Sequence, residues 1–328
     1  MEFEKKFVSI KRAALLSVIL LGVGNVKAQK DPCSMTEQLS GGKKWTSNAS
    51  IDIGNGYHAE IWKAVYSGDG EITCFGGDAD CAFKASWYNC GDFLARVGYY
   101  DGSAAKKHTE LGRISAEYCY TKKGTANSTY QAFSYIGIYG WTKTPLIEYY
   151  IVDDYFEGAP AYAYGGNKKG TYTLDGDTYD LYKVQRYNAP SIIGTTDFET
   201  IFAIRRNTRH CGHVSVSEHF KKWEEFGIKL GGLYECSFLC ETSGGAGSIE
   251  YTYATMRWKG QPGHGIVLGD VNNDDVITMA DANAVVNYFL ASDKPADFNV
   301  DAGDVNCDGD ITMADANQIV NIFLSGGK

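Results

Sequence analysis

Two glutamates stand inside stretches that read as β-strand. Glu148 lies in Leu146-Ile147-Glu148-Tyr149-Tyr150-Ile151-Val152, whose β-branched and aromatic residues favour a pleated, half-buried surface. Successive strand side chains point to opposite faces, so Leu146, Glu148, Tyr150 and Val152 share one face and Ile147, Tyr149 and Ile151 the other. The second stretch is Leu233-Tyr234-Glu235-Cys236-Ser237-Phe238-Leu239-Cys240-Glu241. Glu235, Ser237, Leu239 and Glu241 share one face, and Cys236, Phe238 and Cys240 are expected in the core. A strand carboxylate alone is most simply a solvent-facing group. Two of them in a Tyr- and Trp-rich β domain suit glycoside hydrolysis. That chemistry needs a general acid and, about 5–5.5 Å away, a second carboxylate to act as nucleophile with retention of configuration.

A different chemistry is written twice near the C-terminus, in GDVNNDDVITMADANAVVNYFL (269–290) and GDVNCDGDITMADANQIVNIFL (303–324). The first loop offers Asp270, Asn272, Asp274, the Val276 carbonyl, Thr278 and Asp281 at the ligand positions of a calcium loop. The second offers Asp304, Asn306, Asp308, the Asp310 carbonyl, Thr312 and Asp315. Hard oxygen ligands at this spacing wrap one Ca²⁺ each, so two structural calcium ions are expected. Asp stands at the last position instead of the EF-hand Glu, and Asp275 replaces the usual Gly in the first loop.

These residues need elements to hold them. From about Ser40 to Trp258, short alternating strands are separated by Gly, Asn, Asp and Ser. They include 58–63, 82–88, 93–99, 112–121, 170–174 and 179–187. An amphipathic helix interrupts them at 217–226, with Phe220 and Trp223 on its apolar stripe and Ser215 or Ser217 as its cap. Many strands with one helix predict an all-β jelly roll of two packed antiparallel sheets. The Gly/Pro linker at 259–265 separates this region from a small α-helical domain at 266–328 that carries the repeat.

Residues 1–28 read as a secretory signal peptide. Lys5, Lys6, Lys11 and Arg12 precede the apolar core Ala13 to Val23, and Val26-Lys27-Ala28 is the cleavage site. A secreted, extracellular protein is expected. The net charge of −9 argues against a nucleic-acid partner, and no later apolar run is long enough to span a membrane. Export permits disulfides among the nine cysteines, but the odd number leaves at least one unpaired. Cys236 and Cys240 are roughly 13 Å apart along a strand and cannot bond to each other.

Several separated segments resemble family 11 glycoside hydrolases, the β-jelly-roll endo-1,4-β-xylanases. They are IYGWTKTPLIEYYIVDD (138–154), GTYTLDGDTYDLYKVQRYNAPSIIGT (170–195), VSVSEHFKKWEEFGIKLGGLYE (214–235) and the Gly247-Ser248 pair after Glu241. The resemblance implies a cleft on a twisted inner sheet, crossed by a thumb loop. It implies that Glu148 is the nucleophile and Glu241 the general acid/base. It places Tyr139 and Tyr150 beside the nucleophile, makes Arg186 a substrate-binding arginine, and puts Pro190 at the thumb tip. Trp62 resembles the stacking tryptophan of an outer glycone subsite. Asp92 matches a position beside the acid/base that is Asn or Asp in the family, and Asp there implies an acid-shifted optimum.

Two departures stand out. The family's Gly-Tyr-Gln-Ser-Ser-Gly-Ser after the acid/base reads Thr242-Ser243-Gly244-Gly245-Ala246-Gly247-Ser248 here. Its Phe-x-Gln-Tyr reads Phe198-Glu199-Thr200-Ile201, which loses a glutamine that helps to hold the nucleophile. The C-terminal repeat has one helix after each loop and resembles a type I dockerin, which implies a cohesin module of a scaffoldin as partner and attachment to a cellulosome. Met279-Ala280 and Met313-Ala314, with Val286-Asn287 and Val320-Asn321, match the places that face the cohesin. The expected function is thus an endo-1,4-β-xylanase acting on xylan. The alternatives are another β-1,4-glycan, a glycan-binding jelly roll without turnover, or a calcium-regulated adhesin.

Overall fold

A computed structural model describes residues 31–54, 56–64, 68–76, 80–112, 114–126, 133–156, 166–258, 268–272, 277–292, 298–306 and 310–325. The expected signal peptide and the linker at 259–265 lie outside them. The chain divides into two compact units, one of residues 31–265 and one that holds 266–328.

The first unit is built of strands. β1 (Lys43–Trp45), β2 (Ala49–Gly54), β3 (Tyr57–Lys63), β4 (Asp69–Cys74) and β5 (Phe83–Tyr88) come first. β6 (Phe93–Tyr100), β7 (Ser115–Thr125), β8 (Ser134–Lys143), β9 (Ile147–Asp154) and β10 (Asn167–Leu174) follow. β11 (Asp177–Ala189), β12 (Thr196–Arg205), β13 (Cys211–Val214), β14 (Gly232–Thr242) and β15 (Ala246–Arg257) complete them. Helix α1 (Val216–Glu225) lies between β13 and β14. Short 3₁₀ turns occur at Pro32–Ser34 and His108–Glu110. One sheet has six strands in the order β1-β4-β5-β15-β7-β13, and the other has nine in the order β10-β11-β12-β9-β8-β14-β6-β3-β2. This is the expected two-sheet jelly roll with one α-helix among the described residues of the unit.

One pairing departs from the antiparallel expectation. β12 runs parallel to β9, with Thr200 opposite Glu148. The antiparallel turns from β10 to β11 to β12 bring the chain back beside β9 in β9's own direction.

The two faces of the large sheet carry different apolar layers. One packs on the small sheet through Phe83, Phe93, Tyr118, Ile151, Phe238 and Tyr251. The other carries an aromatic layer that includes Tyr135, Tyr139, Trp141, Tyr150, Phe198 and Phe202. β9 is therefore buried at every position, with Ile147, Tyr149 and Ile151 in the first layer and Tyr150 and Val152 in the second, as the alternation predicts. Cys236, Phe238 and Cys240 lie in the inter-sheet core. α1 packs Phe220 against Tyr149, ring centroids 5.1 Å apart. Ser215 stands at its N-cap without a side-chain capping bond, while Ser217 Oγ accepts the Ile114 N–H at 2.8 Å.

Cys33 and Cys211 form a disulfide that ties the N-terminal turn to β13. Cys74, Cys81, Cys90, Cys119, Cys236 and Cys240 are buried thiols. Cys307 lies outside the described residues.

The second unit holds α2 (Met279–Leu290), the short α3 (Val300–Gly303) and α4 (Met313–Leu324). Its core is made by residues including Val271, Val285, Phe298, Ala302, Val305 and Ile319. No helix among the described residues is long and apolar enough to cross a membrane.

Candidate active site

Glu148 is only 7 % exposed, and its carboxylate is held from several sides. Tyr139 and Tyr150 each donate their hydroxyl to Oε1 at 3.2 Å. Thr200 donates to Oε2 at 2.9 Å, which the parallel register of β12 on β9 makes possible. Arg186, from β11, places Nη1 3.9 Å from Oε2. Burial pushes the Glu148 carboxyl up from the usual carboxylate range, while the Arg186 charge and the three donated bonds pull it back down.

Glu241, on β14, is in the opposite situation. It is 5 % exposed, and no hydrogen-bond donor among the described residues meets its buried Oε2. Burial holds its carboxyl well above the usual range, and the nearby charges of Asp92 and Glu148 push the same way, with a Tyr150 hydroxyl bond and the Arg96 charge opposing. Asp92 sits at the start of β6, where the Gly244 N–H to Cys90 carbonyl bond and the Ser243 hydroxyl to Gly91 carbonyl bond tie its loop to the turn after Glu241. Burial, then the charge of Glu148, pushes the Asp92 carboxyl up to about 7, with Arg186 opposing.

These groups line one cleft of about 550 Å³ on the large sheet, away from the small one. Glu148, Glu241, Trp62, Asp92, Tyr139, Tyr150, Arg186 and Pro190 all border it, so the residues singled out in the sequence converge. Tyr139 and Tyr150 pack edge to face at 4.9 Å, and Trp141 Nε1 donates to the Tyr139 hydroxyl at 2.5 Å. Paired buried carboxylates in an aromatic cleft are the equipment of a glycosidase.

The family model described as glycosyl hydrolases family 11 matches residues 54–252, and that of the dockerin type I domain matches 268–324. The chain belongs to glycosyl hydrolase family 11. An endo-1,4-beta-xylanase, S20, of Neocallimastix patriciarum is 46% identical over 249 residues, covering 74% of this chain and 70% of that protein. Endo-1,4-beta-xylanase C of Fibrobacter succinogenes is 43% identical over 250 residues, but this chain spans only 39% of its length. The crystal structure of wild-type ENZbleach xylanase is 35% identical, with a TM-score of 0.66, and the match covers 74% of this chain and 97% of that one.

The sequence reading of this family 11 site missed part of the cleft. Glu60 and Arg96 also line it, and Glu235, read as a strand residue only, pairs with Arg96 from outside the lining. Glu60 alternates with Trp62 on β3, and Arg96 interrupts an apolar strand, so opposite charges on two strands were the available signal. Thr200, noted as a departure, occupies the place of the missing glutamine and bonds Glu148 itself.

In the dockerin domain, Asp274, Val276 and Asp308 lie outside the described residues. The remaining oxygen donors surround two matching loops. Asp281 accepts N–H bonds from Val271 at 3.0 Å and Thr278 at 2.9 Å, which ties the start of the loop to the start of α2. Asp315 does the same with Val305 at 2.9 Å and Thr312 at 2.8 Å. Thr278 and Thr312 cap the two helices through their hydroxyls. Asp270, Asn272, Asp304, Asn306 and Asp310 complete the described part of the loops. Among the described residues no three His, Cys, Asp or Glu side chains converge as a metal cluster. The donor set is nonetheless all oxygen, which fits a hard cation.

Proposed function

We propose that this chain is a secreted endo-1,4-β-xylanase that cuts internal bonds of xylan with retention and is attached to a cellulosome through its dockerin. The observation that carries the chemistry is the contrast between two buried carboxylates in one cleft. Groups whose surroundings push their protonation apart mark the acid and the nucleophile. Glu148 receives three hydroxyl bonds and lies near Arg186, so it is the one that stays ionised. It attacks the anomeric carbon. Glu241, buried and flanked by like charge, holds a proton and delivers it to the leaving oxygen. Once the glycosyl–enzyme bond forms, the charge of Glu148 is gone, so Glu241, its proton already given to the leaving oxygen, stands as a carboxylate; it then takes a proton from the incoming water as that water breaks the glycosyl–Glu148 bond. The Thr200 bond to Glu148 supports turnover over a binding relic.

Product anomers followed by NMR during xylan hydrolysis test this. β-Anomers released first, and lost in Glu148→Ala, support retention at Glu148; α-anomers released first, or activity retained by the variant, refute it.

The dockerin loops would hold two calcium ions on Asp270, Asn272, Asp274, Val276, Thr278 and Asp281, and on Asp304, Asn306, Asp308, Asp310, Thr312 and Asp315. Bound calcium supplies the charge that gathers those oxygens, and its binding is coupled to folding of the domain. A cohesin is the partner. Chelation is expected to unfold the dockerin and abolish cohesin binding while xylan hydrolysis continues; circular dichroism with and without chelator reads this, and an unchanged spectrum would count against calcium.

A further inference from the structure

The cleft contains a charged cluster that proton transfer and nucleophilic attack leave unused. Arg96 of β6 donates from Nη2 to Glu60 Oε2 at 2.8 Å, and its Nε lies 2.7 Å from Glu235 Oε1. Its guanidinium sits over the ring of Tyr139, 5.0 Å from the centroid. Arg96 is 7 % exposed and Glu235 3 %. Desolvating an ion pair costs as much as its attraction returns, so an apolar pair would serve the fold as well. Nη2 is held by a hydrogen bond, and Nε by close ion pairing with Glu235 without a hydrogen bond of its own. No acceptor among the described residues meets the third, Nη1, and Arg96 borders the cleft with Glu60 and Trp62. Glu60 is opposite Arg96 in the sheet, and Trp62 is two residues further along the same face of β3.

We propose that Arg96 is a substrate-binding residue that grips neighbouring hydroxyls of a neutral sugar ring lying against Trp62, with Glu60 and Glu235 as the positioning residues that hold its guanidinium. This deepens the xylanase reading and rests on it. The planar guanidinium presents donors in a fixed fork, and hydrogen bonds from a charged donor are about twice as strong as neutral ones. The sugar it takes lies on the β3 side of Tyr139, across β14, β8, β9 and β12 from Arg186. Carboxylates that fix the fork before substrate arrives reduce the ordering cost of binding.

The test is calorimetric titration of xylohexaose into the Glu148→Ala protein, which binds without cutting. Arg96→Lys keeps the charge between the two carboxylates but loses the fork, so it is the first variant, and Arg96→Gln is the second. Each should weaken binding about tenfold, as should Trp62→Ala. Because both residues hold one ring, the Trp62→Ala, Arg96→Lys double variant should lose much less than the product of the single losses. Independent, multiplicative losses would overturn the proposal. In the active protein, Glu235→Gln should raise KM about three- to fivefold with kcat within about twofold, the mark of lost ground-state positioning. A fall in kcat alone would assign Glu235 elsewhere and overturn its part. If xylohexaose fails to bind the Glu148→Ala protein at all, the xylanase reading falls along with this one; binding with independent losses removes this one only.

Discussion

The two ends of the proposed catalytic pair are the same residue type on the same sheet, yet they are treated in different ways. Around Glu148 the fold supplies two tyrosine hydroxyls, a threonine hydroxyl and an arginine. Around Glu241 it supplies burial, an unmet carboxylate oxygen and the negative charges of Asp92 and Glu148. A sheet face makes this possible. Strands two apart present their side chains to one cleft and share Tyr150 of β9, but the other neighbours of each carboxylate come from different strands: β8, β11 and β12 for Glu148, β6 and the loop before it for Glu241. Protonation is thereby set by strand order, not by residue type.

The comparison breaks most completely at Glu148. Glu148→Ala should lower kcat on the order of 10⁴-fold or more, because no other group can form the intermediate. Glu241→Gln should cost about 10²–10⁴-fold on xylan, the usual worth of a general acid. The two variants should then separate on an aryl β-xylobioside with a strongly acidic phenol. That leaving group needs no proton, so the glycosylation step recovers in Glu241→Gln and stays lost in Glu148→Ala. Equal losses of both variants on both substrates would erase the assigned difference.

Thr200→Val probes one donor on the ionised side. It removes a hydroxyl bond to a charged acceptor, which is worth about 1.5–3 kcal/mol. A loss of roughly 10–100-fold in kcat/KM is expected. The acidic limb of the pH–rate profile should also rise, since a bond to the charged form keeps the Glu148 carboxyl down and its loss lets burial push the carboxyl further up. An unmoved limb would mean that Tyr139, Tyr150 and Arg186 suffice.

How far the sequence reached follows from the same geometry. Strand alternation told which residues share a face with Glu148, and the fold class followed from many short strands and one helix. Alternation is local, however, and it does not tell which faces are covered twice. β9 is buried throughout because an aromatic layer lies on its far side, so a solvent-facing Glu148 was the simpler local expectation. Thr200 is 52 positions from Glu148 and meets it only through the parallel register. Arg96, Glu60 and Glu235 pair only across β3, β6 and β14, and Cys33 bonds Cys211 across 178 positions. Each of these depends on strand order, which no single strand encodes. The dockerin repeat was more legible because each half lies within one short segment, and the bonds that Asp281 and Asp315 accept span ten residues or fewer.

Asp92 sharpens the comparison on the protonated side, with the smallest effect in rate. In the proposed mechanism the productive form has Glu148 ionised and both Asp92 and Glu241 carrying protons. As pH rises, the first proton lost from this coupled pair comes from Asp92, whose carboxyl is pushed up to about 7. The Asp92 anion then holds the Glu241 proton more tightly and makes it a poorer acid, so activity falls as pH rises through about 7. Asparagine cannot ionise. In Asp92→Asn the basic limb passes to Glu241 itself, which burial and the Glu148 charge hold well above the usual range. The optimum of the variant should therefore shift upward, with a change of only a few-fold in kcat/KM at the wild-type optimum. The measurement is kcat/KM against pH for both proteins on a neutral xylo-oligosaccharide. A basic limb that stays in place would show that Glu241 alone sets it, and one that moves down would show that the Asp92 charge helps to keep Glu241 protonated for catalysis.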